Sequence, residues 1–218
     1  MRAVFMSAIV AFGTVGFGAA GFAAPASTTQ YTYYSVTGDT AASLYSSMLR
    51  RGPHVNGAKA YAATSAESSQ RGKLQPGTSC RVRDYKFNIA FTIKLPRLKE
   101  GAGLPPNVRG RWQQFSAFLK KHEETHRAIW LACARDLETK VNALRASSCD
   151  EVDTKAGRMW EDIQKSCTKK HDAFDAAEQK RLLAHPFVKL VLAKSGVKRA
   201  AAAVPQSLHK KRRAAAMN

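Results

Sequence analysis

The strictest alternation of apolar and polar residues in this chain falls in the stretch RDYKFNIAFTIKLP, residues 83–96. A period of two predicts a strand with one buried and one solvated face, which is typical of antiparallel sheets. Pro96 ends the pattern, because proline cannot donate a backbone hydrogen bond. The apolar positions of this predicted strand are Tyr85, Phe87, Ile89, Phe91, Ile93 and Leu95.

From about residue 108 the apolar residues recur at steps of three and four, which predicts one long helix over residues 108–146. The stretch SSCD at 147–150 breaks this pattern, and a second long helix is predicted over residues 150–183. Two long helices around a short connection form a hairpin. The stripe of the first helix contains two histidines and consists of Trp112, Phe115, Leu119, His122, His126, Ile129, Cys133, Leu137, Val141 and Leu144.

Shorter elements flank these three. The stretch YTYYSV (31–36) predicts a strand, and Thr40 is the expected N-cap of a short amphipathic helix that ends at Gly52. The stretch KAYAATS (59–65) predicts a second strand, and HPFVKLVLAKSG (185–196) predicts a last short helix. The expected fold class is therefore α+β, with a small antiparallel β-sheet packed on a long two-helix hairpin.

The N-terminus has the pattern of a secretory signal peptide. Arg2 precedes a long uncharged apolar run that ends in small residues, so residues 1–26 are predicted to contain a signal peptide that is cleaved after Ala23 or Ala26. The alternative is an uncleaved membrane anchor, since about 20 apolar residues can span a bilayer. After cleavage we expect a single domain over residues 27–193, with no transmembrane span, exported to the periplasm or secreted.

In an exported protein the four cysteines predict two disulfides, because the compartment is oxidising and the number of cysteines is even. Cys133 and Cys149 would lie about 24 Å apart on one continuous helix, which forbids pairing them directly. Folding the chain back at residue 149 brings Cys133 opposite residue 165, close to Cys167. This geometry favours Cys133–Cys167 and leaves Cys80–Cys149 as the second pair.

The chain is strongly basic, with a formal net charge of +19. Residues 194–218 contain seven lysines and arginines and no acidic residue, and they are predicted to form a disordered basic tail. A tail of this kind suits anionic envelope polymers in an exported protein. Nothing aromatic is interleaved with its basic residues, so no nucleic-acid partner is expected.

The stretch KKHEETHRAIW, residues 120–130, contains the strongest chemical signal. His122 and His126 are four residues apart and project from one face of the predicted helix, where both can bind one zinc ion. Glu123 follows the first histidine and can act as general base towards a zinc-activated water. The alternative is a charged helix in which Glu123 pairs with nearby lysines or arginines. Both histidines lie in the apolar stripe, which favours the metal site because buried polar groups need partners.

The mature chain resembles a bacterial family of predicted secreted zinc-dependent proteases known as domain of unknown function 922. The likeness covers roughly residues 31–178. It is carried in order by YYSVTGDTAASLYSSMLRRGP, SCRVRDYKFNIAFTIKLP, Trp112 with HEETH, Cys149 in SSCD, and HDAFD at 171–175. The resemblance implies a metallopeptidase with zinc as its cofactor. Cys80 and Cys149 fall at family-like positions, which fits the pairing given above.

One departure from the family concerns the third metal ligand. Members of the family have the pattern Tyr-Asp-x-x-Thr-x-His-Gly. This chain has Glu178 at the threonine position and Lys180 at the histidine position. A catalytic zinc needs three protein ligands plus water. The remaining candidates are His171, Asp175 and Glu178, near one face of the second helix. Folding the chain back at residue 149 places residues 171–178 level with the two histidines of the first helix. We expect Glu178 or His171 as the direct ligand, with Asp175 supporting a histidine from behind.

The sequence thus predicts zinc-dependent hydrolysis of peptide bonds in peptide or protein substrates. The period-two strand over residues 83–96 is expected to offer an edge to an extended peptide. The alternative is a catalytically degenerate, non-enzymatic protein of the cell envelope on the same scaffold, which the altered family pattern and the positive charge favour.

Overall fold

A computed structural model of the chain describes residues 25–55 and 57–194. Apart from Pro25, Ala26 and Lys194, the predicted signal peptide and the predicted basic tail lie outside these residues. The elements in chain order are β1 (Ser27–Val36), α1 (Ala41–Arg51), β2 (His54–Val55), β3 (Ala58–Lys59), β4 (Ala63–Gln75), β5 (Cys80–Leu98), α2 (Pro106–Asn142), β6 (Arg145–Ala146), α3 (Cys149–Ala184) and α4 (Pro186–Lys194).

The long strand β5 is the centre of the main sheet. The order is β1-β5-β4, with the short β6 paired to the start of β5, while β2 and β3 form a separate pair. β4 runs antiparallel to β5, and β1 runs parallel to it. The α+β class is confirmed, but the sheet is mixed rather than purely antiparallel. Alternation within one strand indicates which face is buried and carries no information on the direction of a neighbour.

A bulge interrupts the pairing of β4 and β5. The register steps from Arg71↔Lys86 to Lys73↔Arg83, so β5 carries an extra residue, and Asp84 has a φ of 53°. The backbone groups of Tyr85 bond instead to the side chain of Asn142, at 3.0 Å from its N–H to Oδ1 and at 3.0 Å from Nδ2 to its carbonyl oxygen. The bulge thus fastens the last turn of α2 to the sheet.

The predicted helical hairpin is present as α2 and α3, with a shift at the connection. α2 ends at Asn142 instead of residue 146, because residues 145–146 pair with the start of β5 as strand β6. Cys133 and Cys149 therefore do not share a helix. α3 begins directly after its N-cap Ser148, whose hydroxyl accepts a bond from the Glu151 N–H at 3.2 Å.

Both predicted disulfides are present. Cys80–Cys149 joins the start of β5 to the start of α3, and Cys133–Cys167 links the two long helices. No helix within residues 25–55 and 57–194 combines the length and apolar character needed to cross a bilayer. The two disulfides are compatible with an exported protein.

The core lies in two clusters on the side of the sheet that α2 covers. One surrounds Phe115 and includes α1 and α4; the other surrounds Phe91 and Leu137 between β5, α2 and α3. The metal-ligating candidates lie on α2 and α3 near the place where these clusters adjoin. The two long helices are thus held on both sides of the site by buried apolar side chains, which restricts their relative movement.

Candidate metal centre

The first two groups of the candidate site come from one face of α2. His122 and His126 are separated by one helical turn, and their Nε2 atoms lie 3.0 Å apart. The ring of Phe174 on α3 packs against both imidazoles, with centroids at 4.8 Å from His122 and 5.1 Å from His126. His126 is 1% exposed, so its polar atoms depend on protein partners or on a bound ion.

The third group comes from the facing helix α3. Oδ1 of Asp175 lies 2.9 Å from Nε2 of His126 and 3.2 Å from Nε2 of His122. Asp175 is 5% exposed. Because α2 and α3 run antiparallel, the carboxylate arrives level with the two histidines. Two imidazole nitrogens and one carboxylate oxygen thus form a triangle with sides of 2.9 to 3.2 Å.

This triangle suits a metal ion. Ligands bound tetrahedrally at 2.0–2.1 Å lie about 3.3 Å from one another, so the three atoms need move only a few tenths of an ångström. Imidazole nitrogen and carboxylate oxygen are ligand types that divalent transition metals accept. The group formed by His122, His126 and Asp175 can therefore hold a metal ion.

His171 lies behind this group rather than in it. Its Nδ1 is 2.8 Å from Nδ1 of His126, on the side of that ring that faces away from the triangle. If Nε2 of His126 binds a metal, its ring proton sits on Nδ1 and is donated to Nδ1 of His171. His171 then carries its own proton on Nε2, which lies 3.8 Å from Sγ of Cys167. The hydrogen-bond pattern assigns these tautomers.

Glu178 also lies outside the triangle. Its Oε1 accepts a bond from the guanidinium of Arg181 at 2.5 Å, and its side chain lines the adjacent cleft. The sequence interpretation favoured Glu178 or His171 as direct ligand and gave Asp175 a supporting role. The structure groups Asp175 with the two histidines, because Asp175 lies on the buried stripe of α3 that steps by fours through residues 163, 167 and 171.

Glu123 is buried beside the triangle, with 4% of its surface exposed. The hydroxyl of Thr64 on β4 lies 2.8 Å from Oε2 of Glu123 and 3.1 Å from its backbone oxygen. Burial raises the pKa of Glu123, while His122, His126 and the bond from Thr64 act in the opposite direction. Sequence reasoning missed Thr64, which lies inside a predicted strand among small residues with nothing to distinguish it.

The acidic surroundings of the candidate metal centre also shift the pKa of His122. Burial lowers the pKa of His122, but the hydrogen bond to Asp175 and the nearby Glu123 carboxylate raise it, and the net direction is upward. His122 is therefore held among acidic groups that favour a positive charge at this point. A divalent cation meets the same requirement.

A cleft opens beside the triangle, between the start of β4 and the two long helices. Its volume is about 420 Å³ including its open mouth. Tyr61 forms one wall, and its hydroxyl bonds to that of Tyr45 at 2.5 Å. Burial raises the pKa of Tyr61, so this phenol stays neutral. The other lining residues are Ala60, Ala62, Phe118, Leu119, His122, Glu123, Asp175, Glu178, Gln179 and Leu182.

Comparisons with known proteins support the family resemblance. Residues 31–182 match a family described as bacterial protein of unknown function (DUF922). This range includes the helical hairpin except for the last two residues of α3, together with both disulfides and every residue of the candidate metal centre. Neither a curated protein nor a solved structure matches the chain. The chain belongs to the bacterial DUF922 family, whose description assigns no activity to its members.

Proposed function

We propose that the protein is an exported zinc-dependent metallopeptidase. The observation that carries this proposal is the convergence of two imidazole nitrogens and one carboxylate oxygen within 3.2 Å of one another, with a buried glutamate adjacent. Three protein ligands and one open position are what a catalytic zinc site requires. Asp175 is the proposed third ligand, and Lys180 stands where the family pattern has a histidine.

His122, His126 and Asp175 would hold the ion through Nε2, Nε2 and Oδ1. When bound there, zinc supplies Lewis-acid chemistry and lowers the pKa of a coordinated water towards about 7. The same three ligand types also suit iron(II). Glu123 favours the hydrolytic reading, because a buried carboxylate beside the ligands serves proton transfer during hydrolysis.

Glu123 is the proposed general base and acid. Its carboxylate accepts the proton of the attacking water and then passes it to the leaving amine of the cleaved peptide bond. Burial raises the pKa of Glu123 above its ordinary value, and a general base is most effective when its pKa lies near the working pH. Thr64 holds Oε2 by a bond of 2.8 Å, so the other carboxylate oxygen is the one offered to the reaction.

The substrate is proposed to bind as an extended chain along the first residues of β4, next to Thr64. The sequence suggested β5 for this role, but β5 is central and has neighbours on both sides. β4 pairs with β5 on one side only within the described part of the chain, and it carries Thr64 beside Glu123. Its other edge can bond to a peptide backbone. The apolar lining of the cleft, with Phe118, Leu119 and Leu182, favours an apolar side chain next to the cleaved bond.

The test combines metal analysis with peptide digestion. Protein purified after export should contain about one zinc per chain, and His126→Ala should remove it. The zinc-loaded protein should cleave members of a mixed peptide library, whereas Glu123→Gln should keep the metal and lower the cleavage rate by about 10² to 10⁴. Metal retention with no cleavage by either protein would favour the non-enzymatic envelope protein instead. Iron in place of zinc would overturn the proposed chemistry.

A further inference from the structure

The far end of the β4–β5 hairpin carries a dense group of cations on the face of the sheet that α2 does not cover. These side chains are exposed except for that of Arg81, which is half-buried. They define the distal basic patch, which consists of Arg71, Lys73, Arg81, Arg83, Lys86 and Arg145.

The strand register places these cations directly opposite one another. Arg71 faces Lys86, Lys73 faces Arg83, and Arg81 faces Arg145 across neighbouring strands. Like charges at directly opposite positions destabilise a sheet, because the β-carbons of such pairs are only about 5 Å apart. Three successive pairs of this kind impose a cost that the fold itself does not require. A partner with the opposite charge removes that cost on binding.

The patch is not neutralised internally. None of its six cations forms an ion pair with a carboxylate within residues 25–55 and 57–194. The Nε atoms of Arg81 and Arg83 both donate to one neutral acceptor, Oε1 of Gln75, at 2.8 and 3.0 Å. Asp84 at the bulge is the only acid on the stretch of β5 between Cys80 and Phe87. The patch therefore keeps a large excess of positive charge.

The patch is too far from the metal centre to bind the same ligand. Lys73 is nine residues along β4 from Thr64, the residue that contacts Glu123, and a strand rises about 3.3 Å per residue. The separation is thus roughly 30 Å, which exceeds the Debye length of about 10 Å at 0.1 M salt. Attraction of substrate to the cleft does not explain the patch.

We propose that the distal basic patch docks the protein on an anionic phospholipid surface. The cations extend over three strands as well as along them, which matches a plane of phosphate headgroups better than a single linear polymer. The positions of β4 and β5 that share the exposed face with the patch carry no aromatic side chain, whereas single-stranded nucleic acids are bound through stacking platforms. Docking through this end of the sheet keeps the candidate metal centre away from the bilayer. In that position it remains accessible to soluble peptides.

The expected strength follows from the number of cations. A lysine or arginine near an anionic membrane strengthens binding about fivefold. Removing three of the six should therefore weaken binding roughly 100-fold. The substitutions Arg71→Gln, Lys73→Gln and Lys86→Gln are suitable, because these side chains make no hydrogen bond with another described residue.

The experiment measures sedimentation with vesicles containing phosphatidylglycerol, using exported protein that retains residues 195–218. A matched control replaces three exposed cations elsewhere, Lys99→Gln, Arg158→Gln and Lys169→Gln, and has the same net charge. The patch variant should lose roughly 100-fold in partition coefficient, and the control only a few-fold. Vesicles of phosphatidylcholine alone should bind neither protein.

An equal loss in the two triple variants would overturn the proposal, because net charge alone would then explain the binding. Tight binding to a DNA oligonucleotide with none to anionic vesicles would also overturn it. The proposal does not rest on peptidase activity: the zinc content and the peptide cleavage of the patch variant should both remain at the level of the unchanged protein.

Discussion

The candidate metal centre and the distal basic patch both gather several ionisable side chains, but they surround them in opposite ways. In the metal centre, imidazoles face a carboxylate within 3.2 Å and all are largely buried. In the patch, cations face cations on an exposed surface. Burial makes an unpaired charge very costly, whereas water screens an exposed one. Changes at the buried site should therefore alter metal binding or folding strongly, and changes at the patch should alter the fold only slightly.

Loss of a disulfide is the largest change expected on the buried side. Replacing Cys133 and Cys167 by alanine opens a loop of sequence separation 34, and replacing Cys80 and Cys149 opens one of 69. Chain entropy predicts a loss of about 4 kcal/mol in the free energy of unfolding for either pair. Urea denaturation measures this. Only the Cys133–Cys167 variant should also bind zinc more weakly, because Sγ of Cys167 contacts His171. Equal zinc affinity in both variants would contradict this link.

Asp175→Ala should have the next largest effect. It removes one of the three converging atoms, so zinc affinity should fall by more than about 100-fold, beyond what an outer partner contributes. Competition with a chromophoric chelator measures the affinity, and circular dichroism checks the fold. The matched control is Glu178→Ala, three residues away on the same helix and bonded to Arg181. If Glu178→Ala abolished zinc binding and Asp175→Ala did not, the ligand assignment would be reversed.

Much of the candidate metal centre was predictable from the sequence. The helix period placed His122 and His126 together, and reflection through the bend of the hairpin gave the correct height of residues 171–178. Position along the helix axis was not enough to select one of the three candidates. Asp175 and Glu178 lie less than one turn apart but differ by a rotation of about 60° around the axis. That rotation is fixed by packing of the apolar stripe. Thr64 and the parallel pairing of β1 depend on contacts between distant segments, which no local pattern contains.

His171→Ala should weaken zinc binding by about 10- to 100-fold, the usual cost of losing a partner that orients a metal-bound histidine. The bond of 2.8 Å between the Nδ1 atoms of His171 and His126 would be lost. His171→Asn retains an acceptor at this place and should recover part of the affinity. His171→Leu fills the same space without an acceptor and should not recover the affinity, so equal affinities of the asparagine and leucine variants would rule out the orienting role.

The smallest effect on stability should come from the distal basic patch. Here the substitutions should raise the free energy of unfolding instead of lowering it. Replacing Arg71, Lys73 and Lys86 by glutamine relieves two of the three opposed pairs. The free energy of unfolding should rise by about 0.5 kcal/mol, since cross-strand pairs each contribute a few tenths. The gain should shrink at 1 M salt, where the Debye length is only about 3 Å. The control triple at Lys99, Arg158 and Lys169 should show no such gain. Destabilisation of the patch variant would mean that the fold needs these cations, and the contrast with the metal centre would then disappear.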